Sequence, residues 1–327
     1  MARRNIRKNS PTVDSVGGNP VLTNVAMSFA QSSDLFFAHR LFPDVSVNEQ
    51  SGRYNVWDRA DANRDSFRVV GPSSQYPMGE ARLSKDAYAC NVLKYSEMIS
   101  DEARANSSII NLQMKASERV ALKAMLRRDR HLAENFFKTG VWTGGTGGTD
   151  VTPSTKWDNA STNPIPGIKT EIRLLQKKAG LSRRNIKMLL TPEVFDAMTE
   201  NPIIFARWEN VQPAMVTEQM IAQLLGIGEV IVGESIYATS EEGSDTPETD
   251  FVLSGEKALL VAVTPSPSID TPSAGYTFTW TGLNPGGLMI DNLDRRDLDS
   301  LQVKGRQAFD MKATATDLGV FFDNVLT

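Results

Sequence analysis

From Ser100 to Gly140 apolar residues recur at helical spacing, and neither Pro nor Gly interrupts the run before its end. Ile110, Met114, Ala121, Met125, Leu132 and Phe136 step along one stripe, with Leu112, Leu122, Leu126, Ala133 and Phe137 beside it. Ser100 is a suitable N-cap, and Asp101 and Glu102 place negative charge where first-turn amides lack partners. Lys138 and Gly140 supply the matching C-terminal signals. The spacing predicts one helix over the whole span, roughly 55 Å long at 1.5 Å per residue. Met125 sits in VALKAMLRR, where several faces are apolar, and is expected to be buried; Arg128 is expected on a partly solvated face. Asp101/Arg104, Lys115/Glu118 and Arg130/Glu134/Lys138 have the spacing of ion pairs on one helix face. Glu118, Arg119, Arg128 and Arg130 break any heptad seam, so a helix that meets different partners along its length fits better than a coiled coil.

Either side of this helix the period changes. Residues 1–33 are polar and turn-rich, with Arg3, Arg4, Arg7 and Lys8 at the tip, and read as an arm. Leu35, Phe36, Phe37, Leu41 and Phe42 form an apolar anchor that stops at Pro43. Between 51 and 92, YNVW, FRVV and YACNVLKY are strand candidates around the turn-rich GPSSQYPMGE. This reads as a long two-stranded loop with too little apolar content to stand alone. Beyond Gly140, helical spacing at Ile168, Ile172 and Leu175 alternates with short apolar runs: IKMLL, EVIVG, ALLVAVTP and YTFTWTG. Thr191-Pro192 and Thr217 are helix starts, and Gly180 and Gly226 helix ends. The last 40 residues return to strand patterning, giving an α+β chain.

Candidate chemistry changes this picture little. Cys90 is the single cysteine, so neither an intrachain disulfide nor a thiolate metal cluster is available. The imidazoles are His39 and His131, and His39, inside the apolar anchor, reads as a packed residue. Gly144, Gly145, Gly147 and Gly148 lack the Lys-Ser/Thr pair of a phosphate loop and read as a flexible connector. Glu241, Glu242, Asp245, Glu248 and Asp250 lack the spacing of a calcium loop and read as a solvated turn. In DNLDRRDLDS the alternation of Asp with Arg295 and Arg296 points to salt bridges rather than to a metal. No catalytic, cofactor-binding or metal-ligating residue is assigned, and no enzyme is expected; a carboxylate-dependent hydrolase is the rival reading. The net charge of −4 argues against a protein that grips nucleic acid by its phosphates, yet suits a wall that confines it. No apolar run approaches 18 residues, so no membrane-spanning helix is expected.

The order of parts is a resemblance. FFAHRLFPDVSV, the two-stranded insert, YSEMISDEARANSS, the Trp after the long helix, LTPEVFDAMTENPIIFAR and TEQMIAQLLGIGEVIVG together resemble the major capsid proteins of tailed bacteriophages with the Hong Kong ninety-seven fold. The resemblance implies an N-terminal arm (1–50), an extended loop (51–92), a peripheral domain with a spine helix (93–140), an axial domain (141–285) and C-terminal strands returning through the peripheral domain (286–327). It implies a structural subunit that self-assembles, as hexamers and pentamers, into an icosahedral head enclosing double-stranded DNA contacted non-specifically. Expected further partners are a scaffolding protein, a portal and a decoration protein, with assembly in the host cytoplasm and final residence in the virion. No helical stretch precedes the arm, so either scaffolding is a separate protein or this sequence is a mature form; the start at Met1 favours the first. An encapsulin-like compartment of the same fold is the alternative. Some family members crosslink a loop Lys to a neighbour's Asn; Lys85 and Asn292 lie in comparable regions, but nothing in the sequence assigns them that chemistry.

Overall fold

The computed structural model describes residues 35–57, 65–71, 75–76, 78, 83–106, 111–206, 216–241, 246, 248–264, 266–267, 272–284 and 286–327. The arm with Arg3, Arg4, Arg7 and Lys8, together with Ile110, Glu242 and Asp245, lies outside the described residues. In chain order the elements begin with α1 (Ala38–Leu41), β1 (Asp44–Val47), β2 (Ser51–Trp57), β3 (Leu83–Ala89) and β4 (Asn91–Ser100). Then come α2 (Asp101–Asn106), α3 (Leu112–Phe136), α4 (Ile165–Ala179), β5 (Ile186–Leu190), α5 (Pro192–Glu200), α6 (Pro202–Phe205) and α7 (Glu218–Leu225). The rest is β: β6 (Glu229–Val232), β7 (Ile236–Ala238), β8 (Thr249–Phe251), β9 (Ala258–Ala262), β10 (Tyr276–Trp280), β11 (Leu288–Arg295), β12 (Ser300–Lys312) and β13 (Gly319–Phe322).

The expected 55 Å helix is instead two described helices. Ser100 does cap the first, accepting from the Ala103 amide at 3.2 Å. Asn111 then starts the second, its Oδ1 accepting from the Met114 amide at 3.1 Å. A short polar side chain that bonds its own backbone neighbours competes with helix continuation, so Asn111 acts as a start signal. The 25 residues of α3 span about 37 Å. The expected pairs Asp101–Arg104, Lys115–Glu118 and Arg130–Glu134 are formed.

The chain divides into two compact units, one of residues 1–33, 92–125 and 283–308 and one of residues 34–91, 126–282 and 309–327. In the first, the N-terminal half of α3 lies against a sheet in which β12 pairs with β4 and, antiparallel, with β11. Ala116, Val120 and Ala121 meet Ile99, Ile290 and Val303 in a dry cluster. A side chain at Gly305 would collide with Val120, so this glycine sets how closely helix and strand approach. The stripe expected on α3 is buried at Ala121, Leu132 and Phe136 but not throughout. Met114 is exposed and Met125 half-buried, whereas the small residues Ala116 and Ala121 carry the contact.

The second unit is built on the sheet β13-β9-β5-β6. All five residues of β9 and four of five in β5 are buried, as expected of strands covered on both faces. Ile168, Ile172 and Leu175 of α4 and Ile221, Ala222 and Leu225 of α7 contribute buried faces. Gly180 and Gly226 end those helices with φ of +65° and +73°, a left-handed conformation that glycine adopts without penalty. Thr217 caps α7 and Asn201 caps α6, while the Asn201 amide also donates to the Trp157 carbonyl at 3.0 Å. The segment after α3 corrects the flexible-connector reading. Trp142 is almost fully buried and donates to the Phe136 carbonyl at 2.7 Å, and a side chain on Gly144 would strike the Gly319 carbonyl. Glu171 accepts from the Thr146 amide and hydroxyl. The glycines there permit close backbone approach rather than motion.

Candidate assembly surfaces

The two-stranded insert is anchored at its base. β2 and β3 pair antiparallel from Ser51↔Ala89 to Trp57↔Leu83. Tyr54 and Tyr88 stack on Phe278, with ring centroids 5.2 and 4.8 Å away. Gly52 faces Tyr88 across the pair, and a Cβ there would lie 2.6 Å from its hydroxyl, so only glycine lets that ring lie over the strand. The Tyr54 hydroxyl donates to Asp86 at 2.8 Å, and the Ala89 amide donates to Asp310 at 2.9 Å. Burial and the adjacent Asp86 push the Tyr54 phenol well above its usual range. Cys90 closes the cluster, its thiol pushed up to about 11 by burial and donating to the Phe278 carbonyl at 3.4 Å. This cysteine is a packed residue, not an activated nucleophile.

Beyond the base the insert is different. FRVV forms no strand: Phe67, at 99% relative exposure, and Val69 lie in solvent, as do Tyr76 and Met78. Four large apolar side chains in this short stretch of chain are thus left in water.

A second feature fixes the apolar anchor. Asp129 on α3 is buried at 1% exposure and accepts from the backbone amides of Phe37 and Ala38, at 3.3 and 2.9 Å. These amides open α1, which has no side-chain cap of its own. Burial pushes the Asp129 carboxyl up to about 6 despite these hydrogen bonds. Arg128, next to it, pairs with Asp44 at 3.1 Å and lies over the Phe309 ring, leaving its side chain 11% exposed, far from the solvated face expected of it. Arg40 and Lys187 both pair with Glu229, at 2.8 and 2.9 Å. Against burial, which would raise it, their hydrogen bonds hold the Glu229 carboxyl below its usual value. His39 is half-buried with its Nδ1 unpartnered, and His131 packs edge-on to Phe309; burial lowers both imidazoles. The two are not brought into a common site with Cys90 by any contact among the described residues.

The remaining sequence candidates fall on surfaces. Arg295 pairs with Asp297 and Arg296 with Asp294, as the alternation of signs suggested. Glu241, Glu248 and Asp250 are exposed beside the small β7–β8 ribbon. Lys85 is exposed on β3, and Asn292 lies on β11 with its Oδ1 buried and unpartnered. Among the described residues no group of three or more His, Cys, Asp or Glu is placed to hold a metal, and no helix is long and apolar enough to cross a membrane.

A hairpin insert, a long helix on a sheet and an α/β unit define a class by fold: the chain has the Hong Kong ninety-seven fold. The relatives are specific. The chain is 20% identical over 228 residues, 68% of its own length and 71% of the relative's, to the major capsid protein of Burkholderia phage BcepMu. Its fold matches a phage-related protein of Bordetella bronchiseptica RB50 with a TM-score of 0.71 at 16% identity, covering 94% of this chain and 98% of the other. The encapsulin SrpI of Synechococcus elongatus matches with a TM-score of 0.53 at 15% identity, over 99% and 96% of the two chains. At these identities the structural likenesses establish the fold. No family model matches the sequence.

Proposed function

We propose that this chain is the major coat subunit of a tailed-phage head, a structural protein that assembles with copies of itself into a closed shell. The observation that carries this reading is the surface of the insert. A free-standing subunit has no use for Phe67, Val69, Tyr76 and Met78 held in water. Fully burying such a side chain against a neighbour is worth about 1.5–3 kcal/mol. Shared burial of this kind makes a stable shell from subunits with modest cores of their own. In this reading residues 1–50 are the arm, 51–92 the extended loop, 93–140 the peripheral domain, 141–285 the axial domain and 286–327 the returning strands. The shell is built of hexamers and pentamers, encloses double-stranded DNA, and forms in the host cytoplasm with a scaffolding protein, a portal and a decoration protein.

The encapsulin reading shares the fold, but the sequence likeness is to a phage major capsid protein, which favours DNA over protein cargo. Electron microscopy of the purified chain, expressed alone and with a scaffolding protein, tests the proposal. Closed shells or capsomers are expected, and a chain that stays monomeric under both conditions overturns it.

A further inference from the structure

The sheet of the first unit has two faces. Ile290, Val303 and Ile99 lie under α3. Alternation along the strands places Lys94, Ser96 and Met98 of β4 on the opposite face, with Gln302, Lys304 and Arg306 of β12. Asp291 is the register partner of Lys304, and Leu293 that of Gln302. The Gln302 amide donates to the Ser96 hydroxyl at 2.8 Å, which confirms the shared face. A cleft of about 300 Å³ opens there between Lys94, Lys304, Arg306 and Asp291. Among the described residues Lys94 and Lys304 have no carboxylate within ion-pair distance, and Met98 and Leu293 are exposed. The cleft is therefore cationic with an apolar rim.

The chain carries a complement to it. By sequence the second unit has a net charge of −8. In the second unit the β7–β8 ribbon is three residues long on each side, too short to be stable unsupported. Its register pair Ile236 and Phe251 is exposed, and Glu241, Glu248 and Asp250 are exposed around it.

We propose that the Lys94–Lys304–Arg306 cleft docks the carboxylate-bearing β7–β8 ribbon of a second copy of this chain. The contact is heterologous, one patch meeting a different patch on the next copy, and so repeats around a ring or shell. Nucleic acid is the competing occupant for a cationic cleft. The apolar rim of Met98 and Leu293 has nothing to bury against a phosphate backbone and suits a peptide surface with both charge and apolar area.

This inference rests on the shell reading, and the experiment separates the two. Lys94→Glu/Lys304→Glu and Glu248→Lys/Asp250→Lys are each expected to lower the fraction of chain sedimenting as particles about tenfold at low salt. Combining the two reversals in one chain is expected to restore particles, which also shows that both sets of substitutions leave the chain folded. Single reversals that assemble like the parent, or a combination that fails to recover, overturn the contact while leaving the shell intact in the parent. Parent-like assembly with loss of DNA retention in the Lys94→Glu/Lys304→Glu particles overturns it in favour of nucleic acid. A parent chain that forms no particles overturns both readings.

Discussion

A buried carboxylate between helices is a stability device with a sign. Asp129 titrates near 6 in the folded chain against an ordinary 3.8. Between those values the folded state holds a proton that the unfolded state releases. Stability from this group is therefore fully present below about pH 4 and is lost as pH rises through 6, by roughly 3 kcal/mol at most. Asp129→Asn removes the charge and keeps one acceptor oxygen, for the Ala38 amide, in place of the two that Ala38 and Phe37 use. Urea unfolding from pH 4 to 8 is expected to show a smaller fall in stability for the variant than for the parent over that window. Parallel profiles would show that the carboxylate is solvated. Arg128 and Arg119 make a second residue-scale test. Arg119 binds Glu97 through both oxygens but is half exposed, whereas Arg128 is 11% exposed, holds Asp44 and covers Phe309. Arg128→Ala is expected to cost about 1–2 kcal/mol and Arg119→Ala less than about 1 kcal/mol. Equal costs in denaturant titrations would contradict this ranking. The sequence misled on this point because Arg128 follows the charged Arg127 and precedes Asp129, a triplet that looks solvated until Asp44, Phe309 and the α1 amides arrive from distant parts of the chain.

At the scale of elements, the local signals were legible and the tertiary ones were not. Ser100, Thr217, Gly180 and Gly226 mark helix ends by chemistry confined to a few residues, and the apolar runs of β5, β6, β9 and β10 stand where expected. The start of a new helix at Asn111 was also written in the sequence, but an uninterrupted stretch without Pro or Gly concealed it. The glycines after α3 mimic a linker because their reason, the backbone of Gly319, lies far along the chain. The assembly surface was legible only as a deficit, a hairpin with too few apolar residues to fold on itself. The structure sharpens that deficit into two parts. The base, with Tyr54, Tyr88 and Phe278, has its own support, whereas Phe67 and Val69 lie in solvent. Hydrogen exchange on isolated subunits should show protected amides in the paired β2–β3 base and rapid exchange over 65–71, with the latter slowed in shells. Identical exchange of 65–71 in both states would remove the insert from the list of intersubunit elements.

For the whole molecule, the test is whether stability and assembly come apart. A substitution in a conventional core damages both, because the same contacts serve both. Phe67 is 99% exposed, so Phe67→Asp removes no contact within the subunit. Its effect on subunit unfolding should lie within about 0.5 kcal/mol, as for surface changes away from packed features. In a shell the same position is expected to meet a neighbour, where a carboxylate loses its water and finds no partner, a cost of several kcal/mol unless it takes up a proton. Every copy carries the defect, so the penalty repeats at each contact around the shell and assembly should be abolished rather than weakened. Tyr54→Ala is the contrasting change. It removes a ring stacked on Phe278 and should lower subunit stability by about 3 kcal/mol before assembly is considered. Sedimentation and denaturant unfolding of the two variants side by side decide the matter. A Phe67→Asp chain that unfolds like its parent and sediments as subunits supports a coat protein whose insert is completed by its neighbours. A Phe67→Asp chain that still forms parent-like particles shows that the exposed insert does not hold the shell together.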